Sequence, residues 1–127
     1  MAVDDGFTLT DLQKLLVGST SDKLFIIKFG ASWCGPCKRI KAVAEGRMDA
    51  LVRGYCGKAV CVNIDIDEHL DLYGQLKRHR IVRGIPAVLA YRGTDCQDPW
   101  YQPLDSVSGG DITNIEAFFA RCEARLQ

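Results

Sequence analysis

Two cysteines, Cys34 and Cys37, sit in the stretch FGASWCGPCKRI at residues 29–40, with Gly35 and Pro36 between them. Thiols at this spacing can staple the chain, supply half of a zinc site, or exchange electrons with other disulfides. A staple here would close a loop of only four residues and restrict the unfolded chain little. A zinc site would need Cys56 and Cys61 as its second pair, yet Cys61 lies inside an apolar run rather than on a knuckle. Thiol–disulfide exchange uses the whole pattern, and no metal is expected.

That chemistry needs a sulfur that ionises easily, and the flanking sequence supplies a reason. The run LFII with Lys28 and Phe29 reads as a buried strand over 24–29, and the apolar spacing from Pro36 through Val52 reads as a helix ending by Gly54. Cys34 then lies at or just before a helix N-terminus, where unpaired N–H groups and the helix dipole stabilise a thiolate. Pro36 suits the first helical turn, and Gly35 removes bulk beside the first sulfur. Cys37 falls one turn further on the same face. With Cys34 near the exposed tip and Cys37 opening the buried stripe, Cys34 is expected to attack a substrate disulfide and Cys37 to resolve the mixed disulfide.

The remaining elements complete an α/β pattern. A helix starts near residue 10, a second buried strand covers 59–65, and a helix running from Leu70 ends in a basic cluster over 77–80. Residues 86–91 form a third strand that Pro86 opens. A long connection leads to a short fourth strand, the Ser108–Gly109–Gly110 turn and a closing helix over 111–126. The first two long strands are joined through a helix and must be parallel, while the last two lack one and should be antiparallel. A mixed central sheet of about four to five strands, with helices on both faces, is expected over one domain spanning 1–127.

Composition narrows the class. The 127 residues are 47% hydrophobic and 25% charged, enough to fold around a core without staples despite six cysteines. Sixteen basic side chains balance sixteen acidic ones, so no basic field exists for nucleic acid or an anionic membrane. The start MAVDDGFTLT resembles no secretory signal, and no apolar run approaches the roughly 20 residues of a membrane span, so a cytoplasmic monomer is expected.

WCGPC, preceded by an apolar strand and followed by KRI, resembles the active-site motif of the thioredoxin family, and RGIPAV at 83–88 resembles that family's cis-proline loop. The likeness is good over 24–43 and 81–91 and looser elsewhere. It implies a thioredoxin fold, a cis Pro86, and a substrate rim of Trp33, Ile85, Pro86, Ser108 and Gly109, with the Ile85 backbone pairing with an extended substrate segment. It further implies protein disulfides as substrates and no bound cofactor. Electrons would come from a flavin-dependent, NADPH-using reductase or from glutathione. A redox-regulated binding module of the same fold, with little turnover, is the alternative.

Three positions depart from the family. Lys28 occupies the place of a buried acid six residues before the first cysteine. A buried ammonium must lose its proton or find an anion. It could stabilise a thiolate at Cys37, act as a base when neutral, or bury its stem and reach water. Ala42 stands where a kinking proline is common, so the helix should run straighter. The segment 93–103 is long and carries Cys96, Trp100 and Tyr101, which could grip a partner or pack back on the sheet. Cys61 and Cys122 read as core residues, Cys56 and Cys96 as loop thiols.

Overall fold

The structure is a computed structural model that describes residues 9–16, 22–93 and 99–127. Its elements follow the order α1 (Leu9–Leu16), β1 (Leu24–Gly30), α2 (Gly35–Gly54), β2 (Ala59–Asp65), α3 (Leu70–Arg78), β3 (Ala87–Arg92), β4 (Asp105–Ser108) and α4 (Ile112–Leu126). The expected strands and helices are all present, and Pro86 falls one residue before β3 rather than opening it. The expected strand number resolves to four among the described residues.

The sheet order is β2-β1-β3-β4. β1 runs parallel to β2, with Leu24 opposite Ala59 and Lys28 opposite Asn63, and antiparallel to β3, with Lys28 opposite Val88. β3 and β4 are antiparallel. The two central strands are buried along nearly their whole length, which is why LFIIKFG and AVLAYR read as continuous runs instead of alternating ones.

Alternation still sorts the side chains between two apolar clusters. Phe25, Ile27 and Phe29 meet Leu12 of α1 and Leu72 and Leu76 of α3 on one face. Leu24 and Ile26 meet Ile40, Ala44 and Met48 of α2 and Ile115, Phe118 and Phe119 of α4 on the other. Helices thus cover both faces, and β1 is clamped between them. α2 is one unbroken helix through Ala42.

Asp111 caps α4 by accepting the Thr113 and Asn114 N–H groups at 2.8 and 3.4 Å, which fixes the turn that approaches the cysteines. Ile40 has no exposed surface and anchors the first half of α2 on the sheet. Ile40→Ala should cost about 2–5 kcal/mol through lost burial and a residual cavity. Urea unfolding checks this, with the midpoint falling and the slope unchanged.

Candidate active site

The site forms where β1 stops and α2 starts. Gly30 ends the strand, and its carbonyl accepts the Ile66 N–H at 3.0 Å, which ties the strand end to the segment after β2. A tight turn follows, closed by the Cys34 N–H donating to the Ala31 carbonyl at 3.2 Å. Cys34 is the N-cap of α2, in extended backbone conformation, with Gly35 and Pro36 as the first helical residues. The Cys37 N–H donates to Cys34 Sγ at 3.2 Å, and the Cys34 carbonyl accepts the Lys38 N–H at 3.1 Å. A sulfur therefore takes the role that a serine or aspartate oxygen usually plays at this position. Any negative charge on it faces an otherwise unpaired N–H and the positive end of the helix dipole.

Cys34 and Cys37 are paired as a disulfide, with Cα atoms 5.2 Å apart. Their expected difference in exposure is absent: Cys34 is 5% exposed and Cys37 is 7%. Both pack into the cluster on the α1/α3 face, in the crease at the strand end. What separates the two sulfurs is hydrogen bonding, since Cys34 Sγ receives the capping N–H.

Of the rim residues expected from the sequence, Trp33 precedes Cys34 in the chain, Ile85 approaches its sulfur, and Gly109 is bonded to Pro86. The Ile85–Pro86 peptide bond is cis, and the Ile85 carbonyl lies 3.9 Å from Cys34 Sγ. The Pro86 carbonyl accepts the Gly109 N–H at 2.9 Å, so the turn after β4 is held directly beside the proline. Ser108 ends β4 opposite Ala87 and is exposed. Gly109 has φ of 96°, a conformation that an L side chain seldom adopts. Trp33 is 64% exposed, and its indole N–H donates to Asp67 Oδ2 at 2.8 Å, so an open aromatic face is held in one orientation.

Lys28 points to the α2 face, as alternation requires, and is only 9% exposed. Its ammonium lies 3.7 Å from Glu45 Oε2. Burial is the main reason its pKa falls below the ordinary lysine value; Glu45 pulls the other way, and Lys41 adds to the lowering. Of the outcomes open to a buried ammonium, finding an anion is the one the fold provides.

Sequence reasoning missed three contributors. Glu45 could have been sought from the rule that a cation inside a sheet needs an anion from the covering helix. Asp67 gave no signal, and Gly110 read only as part of a turn, with nothing to show that it meets Pro36. A Cβ on Gly110 would fall 2.9 Å from Pro36 Cβ, so the β4–α4 turn presses against the first turn of α2. The Arg39 guanidinium donates to the Gly110 carbonyl at 3.5 Å across the same seam.

Other singled-out residues lie away from the pair. Cys61 and Cys122 are fully buried in the α2/α4 cluster, Cys56 is exposed, and Cys96 falls outside the described residues. Trp100 packs against the α1/α3 cluster with its ring edge-on to Tyr101. His69 and His79 flank α3 as its two caps; His69 Nδ1 is 3.2 Å from the Asp65 carbonyl, and His79 stacks on Tyr101. Among the described residues no group of three or more His, Cys, Asp or Glu side chains could hold a metal ion, and no helix is long and apolar enough to cross a membrane.

Comparison with known proteins agrees with this geometry. The thioredoxin family profile matches residues 9–106. Thioredoxin-1 of Drosophila yakuba is 34% identical over 113 residues, which cover 87% of this chain and 91% of that protein. The mitochondrial thioredoxin of Mus musculus is 32% identical over 119 residues, covering 94% of this chain and 60% of that longer protein. Among solved structures, the germline-specific thioredoxin Deadhead of Drosophila melanogaster superposes with a TM-score of 0.57 at 30% identity, covering 90% of this chain and 93% of that one. Malassezia sympodialis thioredoxin matches the fold with a TM-score of 0.65 at 23% identity, over 94% of this chain and 89% of that one.

Two outcomes test the packing around the site. Gly110→Ala should destabilise the protein by about 1–3 kcal/mol, since Pro36 is backbone-fixed and cannot swing away; thermal unfolding reads the loss. Burial pushes the Cys61 thiol up to about 11 and the Cys122 thiol up to about 12, from an ordinary 9.0. The unfolded chain ionises both thiols first, so the stability tied to their burial is complete below about 9 and is lost as pH climbs toward 11–12. Urea midpoints measured across that window should fall, and the fall should be shallower in Cys122→Ala.

Proposed function

Because this chain belongs to the thioredoxin family, and is therefore a dithiol–disulfide oxidoreductase, we propose that it reduces protein disulfides with Cys34 as nucleophile and Cys37 as resolving thiol. The observation that carries the assignment is the hydrogen bond from the Cys37 N–H to Cys34 Sγ at the helix N-cap. It favours the thiolate at the first sulfur and leaves the second as the follower.

In the first step the Cys34 thiolate attacks one sulfur of a substrate disulfide. The substrate S–S bond breaks, and the departing sulfur takes up a proton. The Cys37 thiol then loses its proton and attacks Cys34 Sγ, which breaks the mixed disulfide and releases the second substrate thiol. Two electrons have passed from protein to substrate, and the protein is left with the Cys34–Cys37 disulfide. The two sulfurs carry the electrons, so these steps call on no resident cofactor. An external donor, a flavin-dependent NADPH reductase or glutathione, returns the dithiol.

Trp33, Ile85, Pro86, Ser108 and Gly109 act as the substrate rim. The open Trp33 face and the Pro86–Gly109 hydrogen bond support that role by bordering the sulfurs with a shallow, rigid surface. Gly35 and Pro36 support the pair by starting the helix without bulk or a wasted N–H, and Lys28 by setting a positive charge on the Cys37 side. The chain acts as one domain over 1–127, a reading supported by all four described strands sharing one sheet. A reducing cytoplasm suits an exposed free Cys56 alongside unpaired Cys61 and Cys122.

In an insulin-type disulfide reduction assay, Cys34→Ser should fall to the uncatalysed background. Cys37→Ser should accumulate a mixed disulfide visible on a non-reducing gel. Full turnover by the Cys34→Ser chain would overturn the assignment.

A further inference from the structure

Lys28 is the one charged side chain that β1 contributes to an otherwise apolar strand. Its partner Glu45 comes from α2, eight positions beyond Cys37, and the Glu45 side chain is 39% exposed against 11% for Lys28. Both line an open cleft of about 520 Å³ that Cys37 also lines. The other charged groups facing this cleft are Lys38 and Lys41 from α2 and Asp65 from the end of β2. Asn63, opposite Lys28 in the β1–β2 register, borders the same space with a buried Oδ1 that has no hydrogen-bond partner. The cleft is thus polar on the side of the second sulfur, and its most deeply seated charge is positive.

A cation close to a thiol favours the thiolate, and a carboxylate opposes it. Screening is weaker for a buried charge than for an exposed one. Lys28 should therefore outweigh Glu45 at Cys37, and Glu45 should reduce the field without abolishing it. We propose that the Lys28–Glu45 pair sets the acidity of the Cys37 thiol, with Glu45 the positioning residue that holds and partly offsets the Lys28 ammonium. This rests on the reading of Cys37 as the resolving thiol and deepens it. Resolution speeds up with the thiolate fraction of the attacking sulfur, so the pair governs how long a mixed disulfide with substrate survives.

The experiment reads Cys37 directly, with no substrate or reductant. In a Cys34→Ser chain, where serine keeps the N-cap, iodoacetamide alkylation of Cys37 is followed against pH by peptide mass spectrometry, with exposed Cys56 as the internal reference. Lys28→Met should slow Cys37 alkylation at neutral pH about tenfold, the equivalent of one pKa unit. Glu45→Gln should speed it about threefold, or half a unit. Lys28→Arg should stay close to the parent. Shifts of Lys28→Met and Glu45→Gln in the same direction, or no movement of Cys37 relative to Cys56, overturn the proposal. Should Lys28→Met fail to fold, Glu45→Gln, altered at a partly exposed side chain, decides alone: no acceleration overturns it. Alkylation shifts as expected, in a parent chain that fails to reduce insulin, would count against the reductase reading and leave the charge pair standing.

Discussion

The hydrogen bond from the Cys37 N–H to Cys34 Sγ is short-range, but its placement is a long-range achievement. A helix start can favour a thiolate only if it is held still, and α2 is held at both ends of its first half. Ile40 and Ala44 seat it on the sheet, while the Gly110 turn backs Pro36 from the other side. β1 delivers the chain to that point between two clusters, so the strand end has little freedom. The exposed Trp33 indole, pinned by Asp67, and the Ile85–Pro86 loop, tied to Gly109, then border a sulfur whose position is already fixed.

A second constraint acts through the sheet. Burying an ammonium inside an apolar face is costly unless an anion or water meets it. At Lys28 the fold meets that cost by opening the α2 side of the site into a polar cleft, with Glu45 supplying the anion. The same sheet therefore offers a dry, tightly packed interior on the α1/α3 face and a wet margin beside Cys37. Cys61, deeper on the Lys28 side of the sheet, shows the contrast: with no such cleft its thiol is held protonated, its S–H directed at the Met48 carbonyl 3.7 Å away.

The order and type of the elements, the strand–helix junction at the cysteines, and the inward face of Lys28 were all legible in the sequence. They follow from local rules: periods of 2 and 3.6, proline at a helix start, and alternation along a strand. The near-equal burial of Cys34 and Cys37 was not legible, because exposure depends on what the rest of the chain lays over a turn. The partnerships of Glu45 with Lys28, Asp67 with Trp33 and Gly110 with Pro36 link residues 17, 34 and 74 positions apart. No periodicity carries information over such distances. The sequence by itself determined which residues could react and which element each belonged to. Only the tertiary structure decided what stands next to them, because neighbours in space are chosen by packing the whole sheet and its helices at once.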